Sequence, residues 1–348
     1  MTLDQTQKGG DNSTNIQAGS VVIYQGPSIT EVRDLALEVF RNNAATLAGE
    51  AANIARKRAE EITDDFLERL NAEHPAGLSQ AKDPDFQYAL LTAQKEYARC
   101  GDKELGDLLI DLLVDRSKQE SRTILQIVLN ESLQVAPKLT RDQLAVLTVT
   151  FHTKHTQSNA VNNLGSLCDL FDKNIKEAAG LISDKNPCYQ HLEYAGCGAV
   201  GVMQATYAQC LRATYEGLFS RGFDETQFGG SQLQIAFTHP LIIPCTNDPT
   251  RKQINAMRED VIRSECKRYG VSDQDAEKLV ALQKATLLDD LGVRKLVCDA
   301  RPYMQRLFDI WDNSQMRLFT LTSVGIAIGH ANIKKSVRDL TNLSIWIN

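Results

Sequence analysis

From Ser28 to Asn71 the chain contains no proline, and that run constrains what it can fold into more than any other feature. Ser28 stands three residues before Glu31, the spacing of a capping box at a helix start. Gly49 is the one weak point for a helix in the stretch that follows. The pattern predicts a single helix over residues 28–72, roughly 65 Å long at about 1.5 Å per residue. Leu37, Phe40, Ala44, Leu47, Ala51 and Ile54 step by three and four, as a coiled-coil seam does. The seam breaks at Arg58 and Glu61, and apolar positions resume on a shifted face at Ala55, Ala59, Ile62 and Phe66. The alanines allow a second helix to approach closely. Two readings of so long a helix stand side by side: it spans the body of its own domain, or it packs against another chain.

Residues 1–27 form a polar leader with a short β-type segment, in which Ile16, Val21, Val22, Ile23 and Tyr24 are strand formers and Gly19 and Gly26 mark bends. A lone hairpin is marginal in water, so this segment must pair with the body or with its counterpart in another copy. Ile16 and Val22, with the six seam residues from Leu37 to Ile54, are therefore the candidates for self-association.

After a loop carrying Pro75 and Gly77, Asp83-Pro84 opens a new helix with proline in its first turn, and Gly101 closes it. A helical domain is expected over 83–221, with further helices near 103–117, 121–136, 140–157, 160–182, 187–196 and 202–220. Residues 222–250 interrupt the pattern with three of the nine prolines and three glycines, and hold one strand-like piece, Leu233–Phe237. A C-terminal helical domain is expected over 251–348, with helices at 251–269, 272–287 and 289–313. There Arg317–Thr322 alternates as a strand, and a short last helix, 324–335, docks one apolar face on the body. Helix, strand, helix is the order at the end of a degenerate winged helix. The expected fold is thus mainly α: an irregular multi-helix array with a β-type leader, one long helix and a winged-helix-like end.

The formal charge of −6 argues against nucleic acid as the default partner. Residues 291–340 run the other way, with eight Lys/Arg against four Asp, a surplus of four. Lys334, Lys335 and Arg338 are the candidate nucleic-acid contacts of that region. The eight cysteines are scattered with no CxxC pair, which reads as reduced, buried thiols in a cytoplasmic protein. The N-terminus lacks a signal-type apolar region, and no apolar stretch reaches the ~18 residues of a membrane span.

Gly196, Gly198 and Gly201 spell GxGxxG, but no strand is expected before them and close helix packing explains them better than a dinucleotide. His152 and His155 stand three apart without an accompanying carboxylate and read as surface histidines or a polar patch. Cys188, His191 and Cys197 lack the paired spacing of a zinc site. Neither a phosphate-binding GxxxxGK nor a GxSxG elbow occurs. Cys168 or Cys245 with a distant His, or the His and Cys residues of 188–245 with His239 and Cys245 in the irregular segment, sustain a thiol or metal enzyme only as an alternative. No catalytic, cofactor or metal residue is assigned.

Three blocks, GDNSTNIQAG (10–19), DPDFQYALLTAQKEYARCGDKELGDLLIDLLVDR (83–116) and LTSVGIAIGHANIKK (321–335), resemble a family of uncharacterised bacterial proteins. The resemblance implies no activity or cofactor. Leaders similar to GDNSTNIQ also occur beside signalling or effector modules of bacterial conflict proteins. The expected function is a non-enzymatic, self-associating protein of a defence or signalling response, forming a homo-oligomer and open to an unidentified protein partner. A nucleic-acid sensor acting through 291–340 is the first alternative.

Overall fold

A computed structural model describes residues 29–202, 204–335 and 340–347, with side chains from residue 48 onward. The leader and its Ile16 and Val22 lie outside the described residues. So does Arg338. The chain divides into two units, residues 1–54 and residues 55–348. Described residues of the first are helical throughout, as the beginning of α1 (Ile29–Glu73).

The second unit is mainly α. In chain order it holds the end of α1, then α2 (Pro84–Cys100), α3 (Lys103–Ser117), α4 (Ile124–Val135), α5 (Arg141–His155), α6 (Leu164–Asn174), α7 (Lys176–Leu181) and α8 (Asn186–Tyr194). Strand β1 (Gly198–Val200) and α9 (Tyr207–Thr214) follow, then α10 (Glu225–Gly230), β2 (Ile242–Pro244), β3 (Lys252–Ile254), α11 (Glu259–Arg268) and α12 (Asp273–Ala285). The chain continues through α13 (Asp290–Ala300), α14 (Met304–Asn313), β4 (Phe319–Leu321) and α15 (Ser323–Lys334).

Local chemistry sets several of these boundaries. Asp83 caps α2 by accepting from the Asp85 N–H, and Pro84 fills the first turn. Gly101 ends α2 in the left-handed region at φ 64°, where its missing side chain leaves room for the Arg58 guanidinium. Arg58 from α1 then donates to the last carbonyls of α2, Ala98 at 3.1 Å and Arg99 at 3.4 Å. Pro302 splits the expected 289–313 helix into α13 and α14. The expected helix at 251–269 starts late, because Lys252–Ile254 pairs with Ile242–Pro244 as a hairpin in register Ile242 with Ile254. Leu233–Phe237 is irregular and not a strand. Its Leu233, Ile235 and Phe237 still pack on apolar neighbours.

Two apolar clusters organise the unit. The larger joins α1 from Ile62 onward with α2–α9 and α13–α15, and the smaller gathers Phe223, Ile242, Ile254, Ile262 and Leu279. At the centre of the larger lies α15, which packs on α3, α4 and α5. The expected one-sided docking of this helix is corrected: Val324 to Ala331 are all buried, because the sequence offers no polar face there. The winged-helix geometry is also not formed. Strand β4 pairs antiparallel with β1, far away in sequence, rather than with a neighbouring hairpin.

The three glycines of GxGxxG serve that junction. Gly196, at φ 74°, ends α8 in a Schellman arrangement, its N–H reaching Glu193 O and the Cys197 N–H reaching Leu192 O. At Gly198 the β1 backbone lies against the Phe319 ring and Thr320 O. Thr322, the cap of α15, donates its hydroxyl to Gly196 O at 2.5 Å. Gly325 lies so close under this turn that an added Cβ would stand 1.9 Å from Cys197 O.

Candidate functional site

The last members of the α1 seam whose side chains are described are Ala51 and Ile54. Residues 48–54 are all exposed, Ile54 at 52%. Leu37, Phe40, Ala44 and Leu47 lie on the same helix, and their side chains are outside the described residues. The shifted face turns into the body at Ile62 and Phe66, joined by Leu70, all at most 2% exposed. At about 100° per residue the two faces are roughly 70° apart around the helix. The second is covered, with Phe66 meeting Phe86 at 6.1 Å between ring centres and Thr63 accepting from Gln94.

The candidate nucleic-acid contacts take other roles. Lys334 is 7% exposed, its ammonium 2.9 Å from Glu73 and 3.3 Å from Asp115. Burial opposes that charge, yet Asp115, Glu73 and Asp111 together hold its pKa above the ordinary lysine value. Lys335 donates to the Glu104 carbonyl at 2.8 Å. Other cations of the basic stretch are likewise engaged within the fold: Arg294 with Asp309, Lys295 with Asp299, and Arg301 with Asp169 and Asp172.

Lys334 belongs to a buried charge cluster between α1, α3 and α15. Arg69 donates to Asp111 at 2.7 Å, and Lys118 to Asp115 at 2.7 Å. His330, 2% exposed, bonds the Thr341 carbonyl at 2.9 Å through Nε2. Beside this cluster Arg116, fully buried, reaches Asp83, Asp85, Asn130 and the Gln119 carbonyl, locking α2 and α4 to α3. Sequence reading missed these residues, although a signal was present. In LLIDLLVDRS the apolar positions surround the helix, so Asp111, Asp115 and Arg116 have no solvent face left.

Of the two histidines expected at the surface from HTKH, His152 is buried and His155 half-buried. His152 is 6% exposed with its ring edge-on to Phe171, and His155 stacks on Phe151 at 6.0 Å. They face different neighbours and form no pair for a metal. Among the described residues no group of three or more His, Cys, Asp and Glu is placed to hold one. Burial pushes the thiols of Cys188 and Cys197 up to about 12, and raises Cys168, Cys210, Cys266 and Cys298 as well. Raised thiols are poor nucleophiles at neutral pH. His239 and Cys245 are engaged separately, His239 against Tyr269 and Cys245 at the Ser220 carbonyl.

This interior gives a definite pH dependence. Burial depresses His152 to about 4 and lowers His155 and His330 too, so in that range the unfolded chain binds more protons than the folded one. Their stabilisation is complete above the ordinary histidine value of about 6.5 and is lost as pH falls, by roughly 3 kcal/mol for His152 alone. Asp111 works in the opposite sense. Burial raises it to about 6 against the attraction of Lys334 and Arg69, so protonation between about 6 and its ordinary 3.8 favours the folded state. Urea midpoints measured from pH 7 to pH 4.5 should fall. They should fall more steeply in Asp111→Asn and less in His152→Phe.

A family model matches residues 26–347 of the chain. No curated protein matches it, and no solved structure does.

Proposed function

The chain belongs to an uncharacterised family, and from that premise we propose that it is a non-enzymatic, self-associating protein acting in a bacterial defence or signalling response. One observation carries the reading. The apolar seam of α1 ends in Ala51 and Ile54, and both are exposed. A half-exposed isoleucine in a 3–4 apolar series is a surface that a second helix covers, and alanines at the crossing let the backbones come close.

Light scattering tests it. Full-length protein is expected as a discrete oligomer or filament, and protein lacking residues 1–26 as a smaller species whose body still unfolds cooperatively. Ile54→Glu should also lower the mass, because a charge in a helix seam is strongly disfavoured. Equal masses for all three proteins would remove the proposal. Gly49→Ala, where an added methyl meets nothing within 4 Å, should strengthen the helix by about 1 kcal/mol and leave the mass unchanged or higher.

A further inference from the structure

A cleft of about 290 Å³ opens along the seam between the two apolar clusters of the second unit. Its walls come from three separated segments: the loop after α5, Tyr215, and the β2–β3 hairpin with the start of α11. Ligand clefts favour such junctions, and this one is near the lower end of the usual size range of about 300–1,000 Å³.

Its chemistry is specific. The floor is apolar, formed by Val161, Ile243, Ala256, Met257 and Val261. The rim is uncharged and rich in carboxamides: Gln157, Asn159, Asn162 and Asn255. No carboxylate lines it. Arg258 is the one cation, and its guanidinium is already held edge-on by Asp260, at 3.0 and 2.9 Å, and by the Gln157 side-chain carbonyl. That leaves its planar face, not its charge, for a ligand.

Hydrogen-bonding capacity is left over around the rim. Asn159 and Asn255 are exposed and make no side-chain hydrogen bond. Tyr215 Oη accepts from the Ser158 N–H at 3.0 Å, so its own proton remains to donate. Behind the rim the frame is fixed: Gln253, 4% exposed, accepts from the Thr246 N–H at 2.9 Å and donates to the Gly217 carbonyl at 3.2 Å.

We propose that this cleft binds a nucleobase, presented as a nucleoside or an unpaired nucleotide. Carboxamides offer a donor and an acceptor side by side, the pattern that matches a base edge, while the apolar floor and the fixed guanidinium plane suit its flat faces. A pyranose is the poorer match, since sugar sites grip vicinal hydroxyls with carboxylates and none is present. Phosphate is not the recognised group, because Arg258 is neutralised by Asp260.

Calorimetric titration of the full chain with adenosine, guanosine, cytidine and uridine, and with methyl glucoside as control, tests the assignment. At least one nucleoside is expected to saturate at a Kd of millimolar or below. Asn255→Leu and Asn159→Ala should each weaken it tenfold or more, with urea midpoints unchanged because neither amide supports the fold. The matching 5′-monophosphate should bind no tighter than the nucleoside at low salt. Absence of saturable nucleoside binding, saturation by the glucoside instead, affinity indifferent to both amide variants, or a markedly tighter monophosphate would each overturn it.

Discussion

Gly325→Ala should leave the helical body unable to fold at 37 °C, with a loss above about 3 kcal/mol, the top of the usual range for overpacking. The methyl would stand 1.9 Å from the Cys197 carbonyl oxygen, and the obstacle is main chain, not a side chain that swings aside. Moving that carbonyl breaks what surrounds it. Cys197 O accepts from the Thr322 N–H at 3.1 Å, Thr322 caps α15, and the Cys197 N–H completes the end of α8. One methyl therefore disturbs a cap, a helix end and the β1–β4 pair together. Gly329 on the next turn of α15 lies under the same constraint, its absent Cβ 2.9 Å from Leu147 O on α5. Gly180→Ala in α7, where nothing lies within 4 Å, is the control and should be neutral or slightly stabilising. Circular dichroism and the soluble yield of the three variants decide the matter. A soluble Gly325→Ala with a native melting curve would show that the α15–α8 junction is looser than this geometry.

Lys334→Met should cost about 3–5 kcal/mol, the range for removing one partner of a buried ion group. The methionine fits the lysine stem, so the cost is electrostatic. Asp115, 8% exposed, keeps only Lys118, and Asp111 keeps Arg69. Lys334, ahead of Lys118, is what offsets burial at Asp115 and holds its carboxyl below the usual range. In the variant that carboxyl should move upward. The gap in stability between variant and parent should then narrow as pH falls from 7.5 to 5.5, because protonation removes the uncompensated charge. Adding Asp115→Asn should recover part of the loss at neutral pH. A gap that stays constant with pH would assign the loss to packing.

Features governed by neighbours in sequence were legible before the structure. Asp83-Pro84 opened a helix, Gly101 closed it, and the apolar face of α1 that resumed at Ile62 and Phe66 is buried. Features governed by distant partners were not. Lys334 and Lys335 resemble an exposed basic pair until Asp111 and Asp115 are placed beside the first of them, and those aspartates lie more than two hundred residues upstream. Gly196, Gly198 and Gly325 were visible as glycines, but their purpose is a single crowded turn that no local pattern encodes. The hairpin at 242–254 escaped because a three-residue strand is too short to show a period. The cleft between the clusters was legible only as composition: its carboxamides are scattered through 157–162 and 255, and only folding gathers them.

The central place of α15 has a consequence for how the protein is made. The ion pair of Asp115 with Lys334 spans 219 residues, and the surfaces that α3, α4 and α5 turn to α15 stay open until α15 leaves the ribosome. At roughly 5–20 residues per second, that interval lasts on the order of 10–40 s. The first half of α1 needs no such wait, since its apolar seam is local in sequence. Nascent chains on one messenger would therefore carry the proposed association segment while their bodies are still incomplete.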